Sequence, residues 1–213
     1  MKITKFAHSC LLVEEGGVKL LTDLGSWNEV PDVTGLAAVL ITHEHQDHFD
    51  LDKLKALLEK KSDAKIITHA VVGAKLAEAG IAYTPIAPGE RVEAQGISIE
   101  SYGTEHAIIY GDVSPCVNTG YLIADKLFMP GDALHDLPPK PVEVLALPTG
   151  GPWMKVSEAI DYAKAVKPKK VFPIHDAMYN DTYLGHMLRW FGPNLESAGI
   201  QFVDLRAGQS LDC

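Results

Sequence analysis

Apolar residues along this chain recur at two spacings, one typical of strands and one of helices. Near the start, CLLVEE and VKLLTD flank the glycine pair at 16–17, which predicts a β-hairpin over 10–23. LAAVLIT (36–42) is a continuous apolar run of strand length, typical of a buried strand. Leucines at helical spacing follow Asp50, a favourable N-cap residue, so the pattern predicts a helix from residue 51.

The same alternation continues to the end of the chain. Between 81 and 110 the pattern is that of strands, with turns at Pro88-Gly89 and Gln95-Gly96. Elsewhere, strands are predicted at 64–69, 117–125, 126–132, 142–148, 169–176 and 200–211, and helices at 70–80, 157–166 and 181–192. A β-rich first half followed by alternating strands and helices indicates an α/β protein with two sheets covered by helices, rather than one parallel sheet.

Side chains with metal-ligand chemistry follow several of the predicted strands. The densest group is THEHQDH at 42–48, between a buried strand and a helix, and composition does not explain it because the whole chain has nine histidines. Imidazole and carboxylate suit zinc, and also iron or manganese. The candidate ligands at strand ends are His43, His45, Asp47, His48, His106, Asp132 and His175. This number of ligands is sufficient for two ions.

The spacing inside the cluster has a geometric consequence. In an extended segment His43 and His45 point to the same side, so they are able to share one ion. Asp47 and His48 follow the turn toward the helix and are placed to face a second ion about 3.5–4 Å away, as in two-metal hydrolytic sites. The alternative for Asp132 is a turn aspartate, and His106 and His175, taken alone, are explained as structural residues.

Charge and composition narrow the class of protein. Lys plus Arg is 19 and Asp plus Glu is 28, giving a formal charge of −9, which argues against general nucleic-acid binding. No apolar run approaches the ~18 residues of a membrane helix, and the first residues lack the features of a signal peptide. The cysteines Cys10, Cys116 and Cys213 are far apart and form no disulfide framework; the first two are predicted to be small buried residues. We expect a cytoplasmic protein with a single domain over 1–213.

THEHQDH resembles the metal-binding motif of the metallo-β-lactamase fold superfamily, and the resemblance extends through a later histidine, a GD pair and a last histidine. It implies an αββα sandwich of two mixed sheets flanked by helices, with metals at one edge of the sheets. It also implies that Asp23 supports the 42–48 loop, which carries the histidine cluster, without itself binding a metal ion. The implied ligands are His43, His45 and His106 for the first ion, Asp47, His48 and His175 for the second, and Asp132 as a bridge.

Two further motifs, FAHSCLLVE and LPTGGPW, resemble the branch that contains ascorbate-6-phosphate lactonase and related metal-dependent hydrolases. Where that branch often has an aromatic residue after the last histidine, this chain has Asp176. The motifs bring forward His8, Gly150, Gly151 and Trp153 as substrate-pocket residues, with a strand cap, a turn and core packing as the alternatives.

Together these observations predict a hydrolase in which two divalent ions, most readily Zn²⁺, activate water against a small ester, lactone or phosphodiester. In this hypothesis Asp47 orients the nucleophile. The alternatives are an iron-dependent redox enzyme similar to persulfide dioxygenases, a nuclease, and a non-catalytic metal-binding protein. The expected partner is a small-molecule substrate, with no nucleic acid or membrane, and homo-oligomerisation is left open.

Overall fold

The structure is a computed structural model that describes residues 1–60 and 63–213. Eight strands and two helices lie within the first 102 residues described. These elements are β1 Lys2–Ala7, β2 Cys10–Glu15, β3 Val18–Thr22, β4 Leu36–Leu40, α1 Leu51–Glu59, β5 Lys65–Thr68, α2 Ala70–Glu78, β6 Thr84–Pro85, β7 Arg91–Ala94 and β8 Ile97–Tyr102. Asp50 caps α1 as predicted, because its carboxylate accepts from the backbone N–H groups of Asp52 and Lys53.

The second half begins with a hairpin and ends with short helices and strands. Its elements are β9 Gly120–Ile123, β10 Leu127–Met129, β11 Val144–Pro148, α3 Val156–Val166, β12 Lys170–Ile174, α4 Asp181–Leu188, α5 Phe191–Glu196, β13 Gln201–Phe202 and β14 Ser210–Asp212. Among the described residues, none of the helices has the length and apolar character needed to cross a membrane.

The strands form two mixed sheets. Within the described chain the first sheet has the order β14-β1-β2-β3-β4-β5-β6, and the second has the order β13-β12-β11-β10-β9-β8-β7. The first is antiparallel from β14 to β3 and parallel from β3 to β6. The second repeats this arrangement, antiparallel from β7 to β10 and parallel from there to β13. The predicted α/β class with two sheets is confirmed.

The apolar side chains form three buried clusters, which define four layers. The central cluster lies between the sheets, where Leu40 of β4 and Phe172 of β12 both contribute. A second packs the outer face of the first sheet against α1 and α2, and a third packs the other sheet against α3, α4 and α5. Successive strand residues point to opposite faces, so along β11 Val144 and Ala146 face the central cluster while Leu145 and Leu147 face the helices.

One strand was missed by the sequence pattern. β1 is absent from the predicted elements, yet it pairs with β2 and β14 inside the first sheet. Its hydrophobic alternation is obscured by Lys5, whose side chain is completely buried. A buried lysine is rare unless it is paired, and here it pairs with Asp176 from a distant part of the chain.

Two predictions near the C-terminus were wrong in their extent. The strand predicted over 200–211 is two strands, and β13 and β14 belong to different sheets because the chain turns between them at Gly208, which has φ +81°. The helix predicted over 181–192 ends at Leu188, and α5 starts at Phe191. Pro193 explains this break, because proline lacks the N–H that a continued helix needs but is tolerated in a first turn.

Candidate metal centre

The candidate ligands lie where strands of both sheets end. β4 leads into the 42–48 loop, while β8, β10 and β12 of the second sheet precede His106, Asp132 and His175. β8 and β10 run in the same direction because each is antiparallel to β9, and β12 is parallel to β10 through β11. The strands β8, β10 and β12 therefore end at the same edge of the second sheet. The structure therefore brings together side chains that are up to 132 positions apart in the sequence.

His43, His45 and His106 form the first group. The Nε2 atom of His43 lies 3.2 Å from Nδ1 of His45, and the ring of His106 lies 5.1 Å and 4.7 Å from those of His43 and His45. One ring nitrogen from each of the three lies within 4.8 Å of the others, which is close enough to surround one metal ion. His43 and His106 are buried, and His45 is half-buried.

Asp47, His48 and His175 form the second group, together with His8. Oδ2 of Asp47 lies 3.7 Å from Nε2 of His48 and 3.6 Å from Nε2 of His175. His8 approaches the same oxygen to 3.2 Å. The ligand atoms of all four residues lie within 4.8 Å of one another.

Asp132 lies between the two groups. Its Oδ2 is 2.8 Å from Nε2 of His175 and 3.3 Å from Nε2 of His106, and its Oδ1 is 3.2 Å from Nε2 of His48. His43 is at 3.9 Å. This carboxylate thus reaches residues of both groups.

Hydrogen bonds outside the cluster determine which ring nitrogens carry protons. Asp23 is completely buried and accepts from the backbone N–H of Thr42 at 2.9 Å, from the Thr42 hydroxyl at 2.8 Å and from Nδ1 of His48 at 2.8 Å. Since the Thr42 hydroxyl donates its only proton to Asp23, it must accept from Nδ1 of His43, at 3.0 Å. His106 donates from Nδ1 to the carbonyl of Ala107 at 2.6 Å. When these three histidines are neutral, each therefore directs an unprotonated Nε2 into the centre, the arrangement that orients metal-binding histidines.

Several of the convergent atoms have no hydrogen-bond partner within the described chain. They are Nε2 of His48, His106 and His175 and Oδ1 of Asp132, and all are buried. An unsatisfied buried polar atom costs about 1–3 kcal/mol, and more if it is charged. A cation shared by these nitrogen and oxygen lone pairs would satisfy them all, so the donor set fits divalent metal ions.

The electrostatics of the cluster agree with that fit. Burial lowers the pKa of His43 well below its usual range. Burial opposes the ionisation of Asp132, but the charges of His48 and His175 hold its pKa well below the usual value. Burial also disfavours charge on His48, yet Asp132 and Asp23 raise its pKa to about 9. A metal ion beside Asp132 would replace the proton that this carboxylate otherwise attracts to His48.

Of the four residues brought forward as a substrate pocket, His8 and Trp153 contact candidate ligands, and the His8 ring lies 4.1 Å from that of His175. The Trp153 ring is 5.8 Å from that of His106 and 5.6 Å from that of His175. A Cβ on Gly150 would lie 2.2 Å from the Tyr179 ring, and one on Gly151 would lie 2.7 Å from Nε1 of Trp153. The glycines therefore leave room for aromatic side chains to approach.

Two cavities open beside the cluster. One, of about 400 Å³, is bordered by His106, Ile108, Leu134 and Trp153, among others. The other, of about 470 Å³, has His8 in its wall. Both volumes are within the range of small-molecule sites.

The sequence reasoning missed three residues that shape the centre. Thr42 was not singled out, although it stands between the buried strand and the first histidine. Gly25 packs against the backbone of Asp47 so closely that a Cβ added at Gly25 would overlap that backbone. Cys116, predicted to be a small buried residue, is half-buried, and its Sγ lies 3.8 Å from Nε2 of His45. This contact forms only in the folded chain, so no local sequence pattern predicts it.

Comparison with known proteins identifies the class to which this fold and cluster belong. Residues 2–175 match the family described as "Beta-lactamase superfamily domain". That match includes every candidate ligand from His43 to His175. The chain belongs to this superfamily.

Individual relatives agree with the assignment. The chain is 39% identical over 184 residues to Protein Rv0786c of Mycobacterium tuberculosis, covering 84% of this chain and 85% of that protein. It is 28% identical over 196 residues to a protein named "UPF0173 metal-dependent hydrolase" from Carboxydothermus hydrogenoformans, covering 82% and 84%. Among solved structures, the metallo-β-lactamase fold protein YhfI from Bacillus subtilis superposes with a TM-score of 0.75 at 17% identity, covering 99% of this chain and 98% of that one. The αββα sandwich of the metallo-β-lactamase fold is thereby confirmed.

Proposed function

We propose that this protein is a metal-dependent hydrolase whose dinuclear centre activates water against a small ester, lactone or phosphodiester. The observation that carries the proposal is the convergence of buried, unpartnered Nε2 atoms on Asp132, with His43, His45 and His106 on one side and Asp47, His48 and His175 on the other. The name of the relative from Carboxydothermus hydrogenoformans supports the same class of activity.

In this proposal the two groups of residues would hold divalent metal ions, most readily two Zn²⁺, which would supply a lowered pKa of water and stabilisation of negative charge on the substrate. Asp132 holds the two halves of the centre together. Asp47 is the carboxylate at the open side, since its side chain is 16% exposed while that of Asp132 is 3% exposed. Although burial disfavours its ionisation, the hydrogen bond from His8 lowers the pKa of Asp47 to about 2. Its carboxylate is therefore ionised at neutral pH and able to accept a hydrogen bond from the attacking water.

The surroundings favour a small substrate. The cavity beside His106 and Trp153 and the cavity beside His8 both adjoin the cluster, and each has room for a compact molecule. Because the ligands come from both sheets, we propose that residues 1–213 act as one domain.

Metal content tests the proposal directly. Protein purified without added metal or chelator should contain about two zinc or manganese ions per chain, measured by inductively coupled plasma mass spectrometry. His43→Ala and His175→Ala should each lose about one ion, because each removes a ligand from a different group. His186→Ala is the matched control, since this exposed histidine on α4 lies against Arg189 and should leave the metal content unchanged.

Hydrolysis is then assayed on matched nitrophenyl esters, lactones and phosphodiesters. Two ions with turnover of any of these classes supports the proposal. A metal-free protein that takes up no added zinc would overturn it, and iron accompanied by oxygen consumption would replace it with redox chemistry.

A further inference from the structure

The end of β1 lies against the candidate centre and carries a buried cation that the proposed chemistry does not use. Lys5 is completely buried, and its Nζ donates to Oδ2 of Asp176 at 2.6 Å and to the carbonyl of Pro173 at 2.8 Å. These partners lie on either side of His175. Burial lowers the pKa of Lys5, and the Asp176 carboxylate opposes that shift. The ion pair thus ties β1 to the segment that presents the last histidine.

His175 needs such support because its backbone is in an unfavourable conformation. Its φ is +58°, in the left-handed region that favours glycine. Residues in such conformations persist where the surrounding structure holds them. His8, the residue after β1, supplies two more contacts here: the N–H of His175 donates to the carbonyl of His8 at 3.3 Å, and the N–H of Ala177 donates to Nδ1 of His8 at 3.4 Å.

The contact from Ala177 also determines what His8 can do. A neutral imidazole carries its one proton on either Nδ1 or Nε2. Since Nδ1 accepts a hydrogen bond, that proton is on Nε2. Nε2 therefore donates to Oδ2 of Asp47 at 3.2 Å and has no lone pair for a metal ion. Despite lying within 4.8 Å of three candidate ligand atoms, His8 acts as a donor to a ligand.

We propose that Lys5 and His8 form a positioning arm for the second half of the centre. Lys5 acts through Asp176 to hold His175, and His8 holds Asp47. Both are positioning residues, because each acts on the centre through another side chain. The inference rests on the proposed dinuclear function and adds residues that no ligand motif contains. Partners that orient metal ligands typically change metal affinity by about 10–100-fold.

The test is a titration of metal-free full-length protein with Co²⁺. Calorimetry and the visible absorption of the bound ion both monitor the titration. The double variant Lys5→Met/Asp176→Asn removes the ion pair without leaving an unpaired buried charge, so it is suited to retain the fold. We expect wild type to show two binding events. In the double variant the second event should weaken about 10–100-fold, with a changed absorption spectrum, while the first event stays at its wild-type affinity.

His8 is tested by two substitutions of graded chemistry. His8→Leu removes the donor to Asp47 and should weaken the second event, whereas His8→Gln retains an N–H donor and should recover part of that loss. The matched control is Lys126→Met, which breaks a 2.6 Å contact with Glu15 that involves no candidate ligand or neighbour of one. It should leave both events unchanged.

The outcomes separate the two proposals. Two events in wild type with an unchanged second event in the double variant and in His8→Leu would overturn the positioning arm alone. Equal weakening of both events would also overturn it, since that result indicates general destabilisation. Fewer than two events in wild type would overturn the dinuclear function and the arm with it.

Discussion

A substitution at Gly25 tests whether its close backbone contact sets the position of the 42–48 loop. A Cβ at this position would lie 1.9 Å from the carbonyl oxygen of Asp47 and 2.6 Å from the backbone nitrogen of His48, whereas ordinary contacts begin at 3.4 Å. In Gly25→Ala the two backbones must therefore separate by about 1.5 Å. Little freedom exists to absorb this, because the N–H of Ser26 donates to Gln46 at 2.7 Å and thus ties the same segments together.

The size of the effect follows from that displacement. Overpacking a rigid contact costs about 1–3 kcal/mol, and for a chain of this length each kcal/mol lowers Tm by about 2–4 °C. A misplacement of ~1 Å in a catalytic group costs about 100-fold in rate. We therefore expect Gly25→Ala to lower Tm by several degrees, to weaken the ion held by Asp47 and His48, and to reduce kcat/KM by about two orders of magnitude.

The matched control is Gly185→Ala. Gly185 is in α4, and a Cβ there would meet nothing within 4 Å. Because alanine is favoured over glycine in a helix by about 1 kcal/mol, this variant should raise Tm slightly and leave metal binding unchanged. Calorimetry and zinc competition measure both variants. A Gly25→Ala protein with wild-type Tm, metal content and rate would refute the inference that this close contact sets the loop position.

Three further perturbations test other parts of the centre. Asp132→Ala should reduce metal content and activity together, because the residue reaches both groups; full activity with one ion, measured by mass spectrometry and rate assays, would contradict the two-ion mechanism. Asp23→Asn should weaken zinc binding about 10–100-fold in a competition assay, since the amide offers one acceptor oxygen for Thr42 and His48 where the carboxylate offers two; unchanged affinity would remove Asp23 from the support of the loop. Stripping the metal with a chelator should lower Tm and re-addition should restore it, because an ion at 1,000 times its Kd adds about 4 kcal/mol to the folded state; identical melting curves would argue against a metal that binds the native state.

Most of the secondary structure could be predicted because its signals are local. β4 is a continuous apolar run and α1 has leucines at helical spacing behind a capping aspartate, so neither depends on distant residues. β1 could not be predicted in this way, because the burial of Lys5 makes sense only beside Asp176, 171 positions away. The split between β13 and β14 also escaped prediction, since the choice of sheet depends on neighbouring strands.

The sequence by itself determined the chemistry available to this protein. The density of histidine and aspartate in THEHQDH, and the recurrence of His106, Asp132 and His175 after apolar strands, specify nitrogen and oxygen ligands at one edge of an α/β fold. These features are visible because a strand and the residue that follows it are neighbours in the chain.

Only the tertiary structure decided how those side chains are held. The hydrogen bonds between Asp23 and Thr42, the donor role of His8 and the contact of Gly25 with the 42–48 loop all join segments that are separate in the sequence. The protonation and orientation of the histidine rings depend on differences of a few tenths of an ångström in the hydrogen-bond distances between such segments. Packing of the two sheets sets those distances, and no local pattern of residues contains them.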